Sequence, residues 1–468
     1  MQEEKKPIEK EENTQPQQEL AQTQEESAET QEQKDIKKEK TKTRRMVESI
    51  LLSVAIFFGG MTTGWFLLEP EFRSLIKMKI AMDAFYYQDV EDDVFFDAIF
   101  DAVNENVLDE YSYYMSADEH KQYESEGEGN RSGLGIAFFV QDENGNAQMY
   151  ISDVCGNSPA ERAGVQVGDY LLGFGLSQTQ LKESVIFQDF SNFLSGLETG
   201  QVFYIKVRKG AQADAPIEIL SLAKEYYVEN YVFYRTATSA YGFTGASALD
   251  MTEVGTPLTC LGDETAYIQL TSFNGNAAEE FQKAMDKFRA DGKKNLVLDL
   301  RGNGGGYIKI ARSIASYFCK NTTDKKPLIG VADYGGYQEK FRADGNYYNN
   351  YFSSDSRICV LADVNTASAS EFLIGAMIDY GTISYGDICL SELGGMCKTY
   401  GKGIMQTTYP LLLGGDVVKL TTAVMRWPIS NHCIHGRGIL VEDGALSVPR
   451  NWDFDAGIAD SLEKLFSN

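Results

Sequence analysis

The chain has 468 residues, 43% of them hydrophobic, and a formal net charge of −25. That length allows two or three domains with cores of their own. So acidic a surface repels phosphate backbones, which argues against nucleic acid as a partner. The seven cysteines are Cys155, Cys260, Cys319, Cys359, Cys389, Cys397 and Cys433. None stands at the close spacing of a metal-binding pair, and only Cys389 and Cys397 are near each other. A dense disulfide framework is therefore not indicated, and an odd count leaves one cysteine without a partner in the chain.

Residues 1–45 are Glu, Gln, Lys and Thr with almost no large apolar side chains, too polar to fold. Ser49 to Leu68 is then a 20-residue run without charge. At about 1.5 Å per residue it is long enough to cross about 30 Å of hydrocarbon. Trp65 and Phe66 near its end suit a membrane interface. Lys34 to Arg45, just before it, holds seven basic and two acidic residues. The expectation is a single transmembrane helix over 46–68, with the N-terminus cytoplasmic and everything after Glu69 outside the cell. A cleaved signal peptide fits less well, because the leading segment is long and no small-residue cleavage site follows. A buried core helix would need a second, polar face, which the run lacks.

Beyond the membrane run, Phe95, Phe96, Ile99, Phe100, Val103 and Val107 recur at helical spacing, which predicts a small helical segment over 69–128. Leu108 to Met115, rich in tyrosine, ends it. The turn at Gly127 to Asn130 leads into a β-rich unit over 129–226, with short alternating strands such as Gly135 to Val140 and Val202 to Val207. Within it, Ser158 to Asp169 reads as a capped helical turn followed by a tight Gly-Asp turn. From about Thr265 strands alternate with helices: Ala266 to Leu270, the amphipathic helix Ala277 to Ala290, Asn295 to Leu300, a helix from Tyr307, Ile358 to Leu361, a helix from Ser368 to Tyr380, and Val418 to Val424. That alternation predicts an α/β layer with parallel pairing over 227–468.

Three segments of this last region have the residue types of a hydrolytic site. In Thr366-Ala367-Ser368-Ala369-Ser370-Glu371, Ser368 and Glu371 fit a plain capping box. The same position also suits a nucleophile, since a helix N-terminus favours a developing oxyanion, and Ala367 and Ala369 leave room for a substrate. In Tyr400-Gly401-Lys402-Gly403-Ile404-Met405-Gln406, the lysine is either a surface charge in a glycine turn or a buried amine. Burial lowers a lysine pKa and makes it a usable base. If that segment is extended, Lys402 and Gln406 share a face, and Gln406 can hold the amine by a hydrogen bond. The turn Asp299-Leu300-Arg301-Gly302-Asn303-Gly304-Gly305-Gly306 lacks the P-loop lysine and the spaced dinucleotide fingerprint. It is either a structural turn or half of an oxyanion hole. Of the histidines, His120, His432 and His435, only a Ser368–His435 pairing would offer an imidazole base, and nothing in the sequence positions it.

These segments, in this order, resemble the carboxy-terminal processing (tail-specific) proteases over about residues 88–468. Leu108 to Met115 is similar to that family's Leu-Asp-x-Tyr-Ser-x-Tyr signature. Gly133-Leu134-Gly135-Ile136 and Ser158 to Asp169 are similar to its PDZ domain, where the first run captures a substrate's C-terminal carboxylate. Ile268 to Phe273, the glycine turn, Thr366 to Glu371, Gly401 to Gln406 and Leu420 to Ala423 are similar to its catalytic core.

The resemblance implies a multi-domain α+β chain: a transmembrane helix, a small helical segment, a PDZ domain and an α/β crotonase-like (ββα) peptidase core. It implies Ser368 as nucleophile, Lys402 as base and Gln406 as its orienter, with the Ala369 N–H and a glycine N–H at Gly305 or Gly306 as oxyanion donors. No metal or organic cofactor is implied. The implied partners are protein substrates with accessible C-termini. Oligomeric state is open, although the helical N-terminal segment and the tail Ala456 to Phe466 could pair chains.

Two features depart from the family pattern. Extra residues fall between Ser368 and Lys402, near Cys389 to Met396, where Cys389 and Cys397 could close a disulfide loop outside the cell. Gly304 stands where the family has proline. Two other classes remain open at this point, a catalytically silent PDZ scaffold binding protein tails at the membrane and an acyl-CoA enzyme on the crotonase-type core.

Overall fold

The computed structural model describes residues 46, 49, 51, 52, 59 and 68–468, except 144–145, 184, 211, 244–249, 412–413, 452–453 and 467–468. The described residues divide into two units, one ending at Asp101 and the other running from Ala102 to Asn468. The expected membrane-crossing run lies almost entirely outside the described residues, and among these no helix is long and apolar enough to cross a membrane. The first unit holds the helix Pro70–Phe85 and most of the helix Asp92–Asn106, whose spacing of phenylalanines made it legible.

In the second unit, short runs of β-branched and aliphatic residues build an eight-stranded sheet. Thr265–Leu270, Asn295–Asp299, Ile358–Asp363, Ile388–Ser391 and Leu446–Val448 lie parallel and in that order. Val232–Arg235, Ala240–Phe243 and Met251–Glu253 extend it antiparallel on the other side. The parallel strands are buried on both faces, as crossover connections require. Alternation divides their side chains between two cores. Ile268, Leu298, Val360 and Leu390 join one, while Tyr267, Val297, Leu361 and Cys389 join the other.

The helix Ala277–Ala290 covers the first face. Its buried residues Phe281, Ala284, Met285 and Phe288 fall at helical spacing. Acidic residues in its first turn and basic ones in its last oppose the helix dipole. The helix Phe454–Phe466 covers the other face through Ile458, Leu462 and Leu465. The apolar stripe of this tail is thus used inside the chain.

A second sheet joins the first core through Ile329, Ala332, Phe341 and Ala423. Val417–Arg426 pairs along its length with Ile404–Pro410. Its other edge pairs with Tyr113–Met115 at one end and Leu328–Asp333 at the other. The tyrosine-rich stretch after Leu108 is thus part of the main body rather than the end of a separate helical segment.

The β-rich unit is a sheet in the order Ile136–Glu143, Asn146–Val154, Tyr170–Ser177, Val202–Arg208, Ile217–Ala223. Its core of Leu134, Ile151, Leu171, Phe174, Phe190, Phe203 and Ile205 is its own. Ser158 caps the short helix Pro159–Arg162 by accepting from the Glu161 N–H at 3.1 Å, as the sequence suggests. The chain enters and leaves this unit side by side, Asn130–Gly133 pairing antiparallel with Glu225–Val228.

The extra residues before Lys402 are partly misread by the sequence. Cys389 is buried in the strand Ile388–Ser391, between Ile358–Asp363 and Leu446–Val448, and the protrusion is only the tight turn between Leu393 and Met396. Cys389 and Cys397 are free thiols, with no disulfide between them.

Phe281 is fully buried against Tyr317 and Phe318, with ring centroids at 5.7 and 5.9 Å. Phe281→Ala removes a ring that rigid neighbours cannot replace and is expected to cost about 3–5 kcal/mol. A drop in the urea midpoint of that order, read by tryptophan fluorescence, checks it; an unchanged midpoint would contradict the packing described.

Candidate active site

Two strand-to-helix turns meet at the carboxyl ends of neighbouring parallel strands, the position where open α/β sheets place their ligand sites. Asn295–Asp299 runs into the glycine turn, and Ile358–Asp363 runs into Ser368 and the helix Ala369–Asp379. Ser368 sits at this junction with φ 56° and ψ −112°. A positive φ on a serine is strained, at about 1–3 kcal/mol, and persists only where the surroundings over-determine it.

The surroundings do so. The Ala367 N–H and the Ser370 hydroxyl both donate to the Asn303 carbonyl, each at 3.0 Å. Thr366 Oγ1 donates to the Leu300 carbonyl at 2.8 Å. The Asp363 carboxylate accepts from the Gly302 and Asn365 N–H groups, each at 3.0 Å. The serine is held from both turns.

Position 305 has no room for a side chain. Its φ is +103°, and a Cβ would stand 2.8 Å from Ser368 Cβ and 2.9 Å from the Ala369 nitrogen. The glycine backbone therefore lies directly against the serine. Its N–H, however, is engaged by Asn303 Oδ1 at 2.9 Å. Between the two glycines expected to donate, Gly306 is the one whose N–H makes no hydrogen bond among the described residues. The Ala369 N–H opens the helix, where no intrahelical acceptor exists for it.

The Ser368 hydroxyl makes no cap hydrogen bond. What ties the helix start is Glu371, fully buried, whose Oε2 accepts from the Ser368 N–H at 3.1 Å. The same oxygen accepts from the Lys402 N–H at 2.8 Å. Its Oε1 accepts from the Gly401 N–H at 2.7 Å and from Thr399 Oγ1 at 2.6 Å. Burial pushes this carboxyl group up, opposed by those four donors. The capping-box reading is thus half right: the carboxylate caps the helix and also grips the lysine segment.

Lys402 precedes the strand Ile404–Pro410 rather than lying in it, and the strand carries a register shift between Met405 and Gln406. Alternation from Lys402 to Gln406 does not hold, for that reason. Lys402 Nζ lies over the Tyr111 ring, 4.2 Å from its centroid, and Tyr111 is fixed by a 3.0 Å hydroxyl contact with Tyr400. The Gln406 amide donates to Thr421 Oγ1 at 3.3 Å. The expected Lys402–Gln406 hydrogen bond is absent from this arrangement. Burial lowers the Lys402 pKa, the Lys419 ammonium lowers it further, and Glu110 and Asp109 oppose the shift.

Ser368, Ala369, Gly305, Gly306, Lys402 and Gln406 all line one cavity of about 580 Å³. Phe372, Met405, Met425, Trp427 and Ile434 supply an apolar wall, and Arg131 and Lys419 supply cations. No histidine lines it; His432 instead packs on Trp427 at 4.7 Å, and Ser368–His435 pairing has no support. Gly133 to Ile136 lie outside this cavity, at the start of the β-rich sheet. Tyr111, Glu371 and Lys419 also belong to the site, although no sequence motif of a hydrolytic site marks them as such. The aromatic run after Leu108 was the one signal available for Tyr111.

Residues 264–442 match the model of peptidase family S41. That segment contains Ser368, Lys402 and the glycine turn. Its relatives are carboxy-terminal processing proteases. A Staphylococcus haemolyticus protein named "Probable CtpA-like serine protease" is 26% identical over 420 residues, covering 86% of this chain and 73% of that protein. The chloroplastic C-terminal processing peptidase of Tetradesmus obliquus is 28% identical over 62% of this chain and 55% of its own length. The carboxy-terminal processing protease CtpB of Bacillus subtilis is 24% identical over 71% and 58%. A solved Bacteroides fragilis structure ascribed to an S41 protease has a TM-score of 0.51 at 14% identity, covering 82% of this chain and 88% of that one. The fold is shared.

The Lys402 amine is expected to titrate below 10.5, because burial and a neighbouring cation both disfavour its charged form. Carbon NMR of the reductively methylated protein, assigned with Lys402→Arg, measures it. Lys419→Met removes the like charge and should move the titration up toward 10.5. A downward or absent shift would contradict the electrostatics described.

Proposed function

We propose that this chain is a membrane-anchored serine endopeptidase of the carboxy-terminal processing type, acting on extracytoplasmic proteins. The observation that carries the reading is the strained Ser368, its hydroxyl free of cap bonding, facing the same cavity as a half-buried lysine with a lowered pKa. The match of residues 264–442 to peptidase family S41 supports the reaction class.

In the mechanism that follows, the Lys402 amine turns from the Tyr111 ring toward Ser368 and takes the hydroxyl proton as the oxygen attacks the scissile carbonyl. The carbonyl oxygen becomes an oxyanion held by the Ala369 and Gly306 N–H groups. The tetrahedral intermediate collapses, the C–N bond breaks, and the protonated lysine gives its proton to the leaving amine. Water, deprotonated by the neutral lysine, then releases the acyl group and restores the serine. Below the lysine pKa the base is protonated, so the rate should fall as pH drops through that value.

The β-rich unit is assigned here as the PDZ domain that holds a substrate's tail. Two observations support this. Ile136–Glu143 is an edge strand, paired only with Asn146–Val154 among the described residues. The helix Phe187–Ser195 packs beside it, Phe190 against Phe138 at 5.6 Å. An extended peptide can add to such an edge, with its terminal carboxylate at Gly133 to Ile136. The anchor is the uncharged run at 49–68. The basic segment before it keeps the N-terminus in the cytoplasm and the catalytic unit outside.

Ser368→Ala and Lys402→Ala should each lower kcat on a tail-bearing protein substrate by about 1000-fold or more with the fold retained. Amidating the substrate's C-terminus should lower kcat/KM, and reading both by mass spectrometry of released peptides checks the two halves separately. Undiminished turnover by Ser368→Ala would sink the peptidase reading. Indifference to amidation would sink the tail-receptor role alone.

A further inference from the structure

We propose that Glu371 is the positioning residue of the Ser368–Lys402 pair: one buried carboxylate fixes both backbones. This rests on the peptidase reading above and goes beyond it in assigning a role to a side chain that need not touch substrate. Three of its four donors come from residues 28, 30 and 31 positions away, Thr399, Gly401 and Lys402, so it is no mere cap of its own helix. The fourth is the Ser368 N–H. Serine and lysine thus meet at a single oxygen, Oε2, with only backbone and one carboxyl group between them.

The gripped segment is itself held from behind, so the carboxylate works against a firm backing. Thr399 and Ile439 exchange hydrogen bonds, from the Thr399 N–H to the Ile439 carbonyl at 3.0 Å and from the Ile439 N–H to Thr399 Oγ1 at 2.8 Å. The Gly436 N–H donates to the Gly401 carbonyl at 2.8 Å. Gly401 has φ +92°, and a Cβ there would stand 2.8 Å from the Gly438 nitrogen, so the two chains touch backbone to backbone. The clamp also explains how the turn between Leu393 and Met396 leaves the site undisturbed. It branches off before Thr399, upstream of the whole segment 399–402 that Glu371 holds.

Four donors on one carboxyl group demand an ionised acceptor with two equivalent oxygens. Glutamine keeps the shape but offers one oxygen. Either way round, its NH2 group faces two of the donors, and buried donor–donor contact leaves them unsatisfied. The Ser368 and Lys402 backbones should then separate by a fraction of an ångström to a full one, a displacement that can cost about 100-fold in rate.

The test uses the full chain and a tail-bearing protein substrate. It compares wild type, Ser368→Ala, Glu371→Gln and Thr399→Val at a temperature where near-UV circular dichroism shows each to be folded. Glu371→Gln should lose about 100-fold in kcat with KM changed by less than about threefold, because binding surfaces are untouched. Thr399→Val removes one donor and not the shared oxygen, and should lose about tenfold in kcat. If folded Glu371→Gln keeps kcat within about threefold of wild type, the assignment is overturned. Should Glu371→Gln fail to fold, Thr399→Val decides, and a kcat within about twofold of wild type overturns it. Activity that survives Ser368→Ala points instead to failure of the peptidase reading.

Discussion

A buried carboxylate is expensive unless every lone pair is matched, and Glu371 is fully buried with four donors matched to it. Much of the site follows from that constraint. The helix that begins after Ser368 must start where the carboxylate can reach back to the serine N–H. The segment 399–402 must pass close enough to deliver two N–H groups and a hydroxyl. Because the donors from Ser368 and Lys402 are backbone N–H groups, the constraint acts on main-chain position and leaves the serine and lysine side chains free to move. The chain carries the cost in a strained serine as well, held by the glycine turn on one side and Glu371 on the other.

The resting arrangement then has a simple electrostatic meaning. Lys402 lies on the face of Tyr111 and near Lys419, in a cavity whose other cation, Arg131, is paired with Glu229 at 2.6 Å. A ring face favours an ammonium, whereas burial and a like charge disfavour it. Burial and the like charge lower the pKa of the amine, while the ring face holds its ammonium form. Gln406, engaged with Thr421, is not what sets this balance in the absence of substrate.

Much of the core was legible because its periodicity is strong. Phe281, Ala284, Met285 and Phe288 give a helix at one glance, and parallel strands buried on both faces read as unbroken apolar runs. The glycine turn, Ser368 and Lys402 were also found, and the structure puts them in one cavity. What was missed is what sequence spacing does not encode. Glu371 looks like an ordinary cap because its other partners lie about thirty residues on. Ile388–Ser391 was read as the start of an insertion, since a four-residue strand has too few residues to show a period. The bulge after Met405 broke the alternation on which the Gln406 contact was argued. Tyr111 reaches the lysine only because Tyr113–Met115 pairs with Val417–Met425's strand at a distance of some three hundred residues, and no local pattern announces that.

The central claim is that Ser368 is a nucleophile activated by Lys402 across a shared carboxylate. The most direct measurement is the rate at which a peptidyl fluorophosphonate labels the full chain, with the adduct mapped by mass spectrometry. The account predicts a single adduct on Ser368, forming faster as pH rises through the lysine pKa, and at least about 100-fold slower in Lys402→Ala. Labelling of Ser368 at the wild-type rate in Lys402→Ala, or an adduct on another residue, would contradict it.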